Sequence, residues 1–358
     1  MENTNEQTRK RSGWLTWMLR GLLVVLLILL LAVWLTFGGE LRTVASVKRV
    51  EENTPLFTMD YKGDYGLEKF LTEGGADSDA DLVAFVVRQV LHGLPMEFDL
   101  PDLGCSTYAA RLSDGTPIFG RNFDMYDSPA MLVTTRPKDG YASLSMVNLA
   151  YIGYDAEHLP DALADRIMAL AAPYVPLDGV NEKGLAVGVL LIETESTHQD
   201  TGRPDITTTS AIRLMLDRAA TVDEAIALLE SYDMHASANS CYHFHIADAQ
   251  GNSVVVEYIG DEMSVIRSEA ATNFLLTPGD FDFGKGQDRF KVLEEKLACT
   301  NGTLRDTEEA MALLEAVSQK PVEGKDSSTQ WSCVYDQKEI GLDVAIDMDY
   351  DTVYHFEL

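Results

Sequence analysis

From Gly21 to Gly39 the chain runs 19 residues without a charge, and Trp14 to Leu19 just before it is mostly apolar, interrupted by Arg20. A helix needs roughly 20 apolar residues to cross a bilayer, so this run predicts a membrane span. Trp14, Trp17 and Trp34 suit its interfacial belts. The competing reading is a cleaved signal peptide, whose apolar core is typically ~7–15 residues; the run here is longer, and Thr43-Val44-Ala45 is a poor cleavage site. The expectation is an uncleaved single-pass anchor in the cell membrane. Arg9, Lys10 and Arg11 precede it, which keeps the N-terminus in the cytoplasm and everything after residue 40 outside; Arg42, Lys48 and Arg49 pull against that orientation.

Beyond the span the pattern changes. Residues 40–60 are polar and aperiodic and read as a linker. Asp77 to Gly93 has apolar residues at helical spacing behind Asp and Ser. Pro95 to Gly104, rich in Pro, Asp and Gly, reads as an exposed loop. Strands follow: Cys105–Leu112 and Pro117–Phe123 flank Ser113-Asp114-Gly115-Thr116, a hairpin signal. Leu185–Ile192 is an apolar run of strand length after a turn-like Asp178–Gly184. Cys241–Ala247, Ser253–Tyr258 and Met263–Arg267 form a meander. Helices are predicted over 159–172, 210–220, 288–299 and 306–317, with a capping box at Thr221–Glu224 opening another to about Tyr232. Strands grouped and helices grouped, without strict alternation, argue an α+β layered domain and not a doubly wound sheet.

Composition narrows the partners. The 358 residues carry a net charge of −29. The first 50 hold seven basic and three acidic residues, so the remainder is more acidic still. Such a surface repels phosphate backbones, which argues against nucleic-acid binding. Four cysteines (Cys105, Cys241, Cys299, Cys333) make no CxxC pair and are too few for a disulfide scaffold; a Cys241–Cys333 bridge stays open. His243 and His245 share a strand face, but no third metal ligand or HExxH accompanies them, so a structural role is favoured and no metal is expected. Gly284-Lys285-Gly286 is too short for a phosphate loop. The acidic stretches 280–282 and 347–351 lack a calcium-loop signature.

The chemistry lies in Gly104–Asp124. Cys105 opens a strand, and the hairpin returns Arg121 and Asp124 to the same end of the sheet. An Arg beside a thiol lowers its pKa and enriches the thiolate. With this hairpin, the run Asn181-Glu182-Lys183-Gly184-Leu185, the segment His243–Tyr258, Thr272-Asn273, and Arg289 in Gln-Asp-Arg-Phe, the chain from about Cys105 onward resembles the choloylglycine hydrolase, penicillin V acylase and acid ceramidase group of N-terminal-nucleophile hydrolases, including the autoproteolytic acyltransferase-like branch.

The resemblance implies a four-layer αββα sandwich preceded by the membrane helix and a pro-segment. Residues 1–40 would be cytoplasmic stub and anchor, 41–104 linker and helical pro-segment, and 105–358 the catalytic domain. It also implies cleavage at Gly104–Cys105, since only then is the α-amino group of Cys105 free to act as base. Cys105 is then the nucleophile and Asp124 orients the amine. Arg121 and Arg289 stabilise the thiolate, and Asn273 with a backbone N–H binds the oxyanion. No cofactor is required. The substrate is a small N-acyl amide: an N-acyl amino acid or amine, a penicillin V-like amide, an acyl-homoserine lactone or a conjugated bile acid. An acyltransferase on the same fold and an inactive membrane-tethered binding protein are the alternatives. One position departs from the pattern: the bile-salt branch carries an Asn on the strand after Leu185, where this chain has Val189-Leu190-Leu191-Ile192. Glu193 is the nearest polar residue beyond.

Overall fold

The computed structural model describes residues 2–96, 98, 104–321 and 327–358. An α-helix, Glu2–Ser46, contains the apolar run; its stretch Trp17–Ser46 is long and apolar enough to cross a membrane and is almost entirely unburied through the apolar window. The last turns of that same helix enter the protein body. Val44 is buried there, and the Thr43 hydroxyl accepts the Lys62 N–H at 2.8 Å.

Two sheets make the rest. The first has nine strands in the spatial order Lys48–Arg49, Leu56–Asp60, Ala130–Thr135, Ser143–Asn148, Pro176–Asn181, Ala186–Ile192, Cys241–Ala247, Ser253–Ile259 and Glu262–Arg267. The second is built on Gly104–Leu112, Pro117–Tyr126, Ser327–Asp336, Gly341–Ile346 and Tyr354–Glu357. Short strands Ala270–Ala271 and Thr303–Leu304 pair with its first member. The sheets pack face to face: Cys105, Phe123 and Trp331 of the second share one core with Leu190 and Val255 of the first. Helices cover the outer faces. Thr208–Arg218 and Val222–Glu230 lie on the first sheet, and Gln287–Thr300 and Thr307–Ala316 on the second. Of the expected capping box, Thr221 accepts from the Glu224 N–H, while the Glu224 carboxylate accepts from the Ala220 N–H and not from the Thr221 N–H; Asp306 caps its helix by accepting from the Glu309 N–H. Ser78 likewise caps the upstream helix Asp79–Gln89.

Several expectations are corrected. The stretch 40–60 is no linker: its first part is helix, and Leu56–Asp60 is a strand lying parallel to Ala130–Thr135 with Leu56, Phe57 and Met59 buried. A five-residue strand buried at alternate and adjacent positions leaves no period to read. The short helix Leu67–Thr72 precedes the one that was expected. The predicted α-helix over 159–172 is a 3-10 helix over Asp165–Tyr174. Pro173 lies inside it and has no N–H to donate, which disfavours i→i+4 bonding there, and the segment closes on i→i+3 bonds such as Val175 N–H to Ala172 O. Asp178 to Asn181 is strand and not turn; the turn is confined to residues 182–184. All four cysteines are unpaired, so no Cys241–Cys333 bridge forms. The expected loop before Gly104 falls largely on 97 and 99–103, outside the described residues.

Candidate active site

Gly104–Leu112 and Pro117–Tyr126 pair with Cys105 opposite Phe123, Thr107 opposite Arg121 and Gly104 opposite Asp124. Side chains alternate along a strand. The strand pair therefore sorts its residues onto two faces: Cys105, Thr107, Arg121 and Phe123 point between the sheets, while Ser106, Asn122 and Asp124 point toward the outer helices. Polar links cross the inter-sheet layer. The Thr107 hydroxyl lies 2.7 Å from His245 Nδ1, and the Arg121 Nε donates to Asp178 Oδ2 at 3.3 Å.

Arg121 is fully buried, against the Phe123 ring and beside the Cys105 thiol. Its two terminal nitrogens have no hydrogen-bond partner among the described residues. Asp178 also accepts from Trp331 Nε1 at 3.3 Å and from the Tyr335 hydroxyl. Burial works against the Arg121 charge, but Cys105, Asp178 and Asp124 outweigh it and hold its pKa above the ordinary value. For Asp178, burial pushes the carboxyl up and wins over the downward pull of Arg121, Tyr335 and Trp331. Burial likewise pushes the Cys105 thiol up. Arg121 and Arg289 pull it down, as the sequence predicts, but in this uncut, sealed state they do not prevail.

The other face handles the backbone. The Cys105 N–H donates to Asn273 Oδ1 at 2.8 Å. Arg289 Nη1 donates to the Cys105 carbonyl at 2.6 Å, to Ser106 Oγ at 2.7 Å and to Asp124 Oδ2 at 3.3 Å; its Nη2 reaches Asn273 Oδ1 at 2.9 Å. Asp124 is further fixed by the Thr329 hydroxyl at 2.5 Å and by Gln319 Nε2 at 2.6 Å. Gly104 sits under that amide: a Cβ there would lie 2.2 Å from Gln319 Nε2 and 3.0 Å from Asp124 Cβ, so a larger residue would push the Gln319 amide off Asp124. All five residues expected from the sequence — Cys105, Arg121, Asp124, Asn273 and Arg289 — thus converge on one strand terminus.

Asp178, Ser106, Gln319 and Thr329 were missed. Asp178 was hidden by reading its segment as a turn, although it lies three residues before the Asn-Glu-Lys-Gly run. Gln319 and Thr329 carry no motif. At the departing position, the Leu191 carbonyl and not its side chain meets the site, accepting from Asn273 Nδ2 at 3.0 Å. Glu193 pairs instead with Lys285 at the surface. His243 and His245 are both internally hydrogen-bonded, and the described residues contain no cluster of three metal-ligating side chains.

The site thus sets a strand-initial thiol beside a buried Arg–Asp pair on one side and an Asn and an Arg that bind the backbone on the other, between two packed sheets of an α+β fold. The profile of the linear amide C–N hydrolases, choloylglycine hydrolase family, matches residues 105–283, and the chain belongs to that family. A penicillin V acylase of Pectobacterium atrosepticum is 32% identical over 103 residues, which span 26% of this chain and only 27% of that protein. Among solved structures, the conjugated bile acid hydrolase of Clostridium perfringens aligns with TM-score 0.53 at 18% identity, over 71% of this chain and 92% of that one. The penicillin V acylase of Agrobacterium tumefaciens aligns with TM-score 0.52 at 19% identity, over 71% and 86%. These two share the α+β fold.

Proposed function

We propose that the chain hydrolyses the C–N bond of small N-acyl amides through a thioester on Cys105, after cutting itself at Gly104–Cys105. The observation that carries this is the grip on the scissile peptide. Asn273 holds its N–H, Arg289 holds the next carbonyl, and Gly104 lets Gln319 and Asp124 close over it. In the first step the Cys105 sulfur attacks the Gly104 carbonyl, the C–N bond breaks, and the nitrogen takes a proton to become the free α-amine. Water then hydrolyses the thioester, leaving a Gly104 carboxylate and restoring the thiol. The departing Gly104 vacates the place beside Asp124, which orients the new amine.

Turnover repeats the chemistry on a substrate. The α-amine takes the thiol proton. Sulfur attacks the amide carbonyl, the oxyanion is met by Asn273 Nδ2 and a backbone N–H, the amine leaves with a proton, and water releases the acid. Arg121 and Arg289 favour the thiolate once the site opens to solvent and burial no longer dominates. Phe123, Met125 and Tyr151 belong to the same apolar cluster as Cys105, which suits an apolar acyl group. In this reading residues 1–40 anchor the protein in the cell membrane, 41–104 are the pro-segment, and 105–358, the four-layer catalytic unit, face outward. N-terminal sequencing tests the processing claim: purified protein should give a fragment beginning at Cys105. A Cys105→Ala chain that is still cut there sinks it.

A further inference from the structure

His243 and His245 stand two residues apart on one face of Cys241–Ala247, yet their partners differ in kind. His245 lies between two hydroxyls, Thr107 Oγ1 at 2.7 Å and Ser253 Oγ at 2.8 Å. A hydroxyl both donates and accepts, so a neutral ring is satisfied there; burial first, and the charge on His243 second, hold its pKa down to about 3. His243 lies between two acceptors. Its Nε2 is 2.8 Å from the Thr272 carbonyl, and its Nδ1 is 3.2 Å from Glu257 Oε1, on the residue directly across the sheet. Both side chains are wholly buried.

The state of Glu257 follows from its other contacts. It accepts from the Leu276 N–H at 2.7 Å, the Thr277 N–H at 2.9 Å and the Thr277 hydroxyl at 2.7 Å. Burial opposes its charge, but His243 and these donors prevail and keep the carboxyl below its usual value. With Glu257 ionised and the Thr272 oxygen able only to accept, each ring nitrogen of His243 faces an acceptor. Both ring nitrogens are thus engaged inside the protein, one by Glu257 and one by the Thr272 carbonyl.

This pair grips the chain on both sides of Asn273: Thr272 from one end, Leu276 and Thr277 from the other. Asn273 itself must present Oδ1 to the Cys105 N–H and Nδ2 to the Leu191 carbonyl simultaneously. We propose that the buried His243–Glu257 ion pair is the positioning device that sets Asn273 for amide chemistry, an inference that rests on the role given to Asn273 above. Neither residue touches the reacting atoms. They act through the 272–277 segment, and His245 on the same face has no part in it.

Two measurements test this on the full chain. Ring-labelled histidine NMR should show His243 with two slowly exchanging N–H protons at neutral pH; a neutral ring overturns the inference without any substitution. Processed Glu257→Gln and His243→Gln enzymes, with rates normalised to titratable Cys105 thiol, should lose kcat by roughly ten- to a hundredfold, the scale of a small misplacement of a reacting group, while KM stays within about twofold. A variant that melts earlier but keeps kcat per thiol shows a merely structural pair and overturns it. Asn273→Ala separates the two claims: full activity there removes the reading of Asn273 itself, whereas loss there with unchanged kcat in the pair variants removes only this inference.

Discussion

On the inter-sheet face of Gly104–Leu112, the Cys105 sulfur meets a buried Arg121–Asp178 pair backed by Trp331 and Tyr335. On the outer face, the backbone around the same residue meets Asp124, Gln319, Asn273 and Arg289. The inner group is ionic, dry and aimed at a side chain. The outer group is a mesh of amide and carboxylate contacts aimed at a peptide bond. One residue can serve both because a strand puts its side chain and its backbone neighbours on opposite sides. The contrast implies that sulfur reactivity and handling of the scissile bond are separately tunable.

Substitutions can break that separation or sharpen it. Cys105→Ala should abolish both cleavage and amide turnover, read by intact mass and product release. Asp178→Asn leaves the Arg121 charge buried without its partner, at a cost of about 3–5 kcal/mol. Its melting temperature should fall sharply and its thiol labelling should change, while the contacts of the outer face persist. Gly104→Ala should slow self-cleavage strongly, since the added methyl meets Gln319 and overpacking of this sort costs about 1–3 kcal/mol. Adding Gln319→Ala should restore part of the rate, and no recovery would mean that the outer face is not limited by this contact.

The mildest test is pH. Burial raises the Cys105 thiol in the uncut chain. An acid raised in the folded state is mostly protonated at neutrality, and the folded chain loses stability as pH rises from the thiol's ordinary value to its raised one. Self-cleavage should therefore quicken with pH by about tenfold per unit until the thiol ionises. Turnover by the opened enzyme should level off at lower pH, and parallel profiles would argue that opening does not change the thiol's surroundings.

How much of this could be read from the chain depends on range. The hairpin carrying Cys105, Arg121 and Asp124 is local, and its turn residues announce it. Asn273 and Arg289 were reached by matching an ordered series of motifs, not by periodicity. Asp178 sits in a strand whose burial on both faces leaves no alternation, and it passed for a turn. Gln319 meets Asp124 across a sequence separation of 195 residues, and nothing near either one signals the contact. The raised thiol was equally invisible: the Arg neighbour is legible locally, whereas the burial that outweighs it is a property of the two sheets together.

The strand Leu56–Asp60 lies upstream of the proposed cut, yet it is hydrogen-bonded into the sheet downstream of it. Nearby, the Tyr65 hydroxyl caps Asp217 of the buried Arg213–Asp217 pair at 2.5 Å, and Arg218 pairs with Glu68. Cutting the chain would therefore not free its halves. The protein would become a two-piece body in which a noncovalent seam bears whatever load the N-terminal helix transmits. With the N-terminal helix seated in a membrane, as proposed, that body would keep diffusing in two dimensions, meeting substrate by sliding along a surface and not by tumbling through a volume.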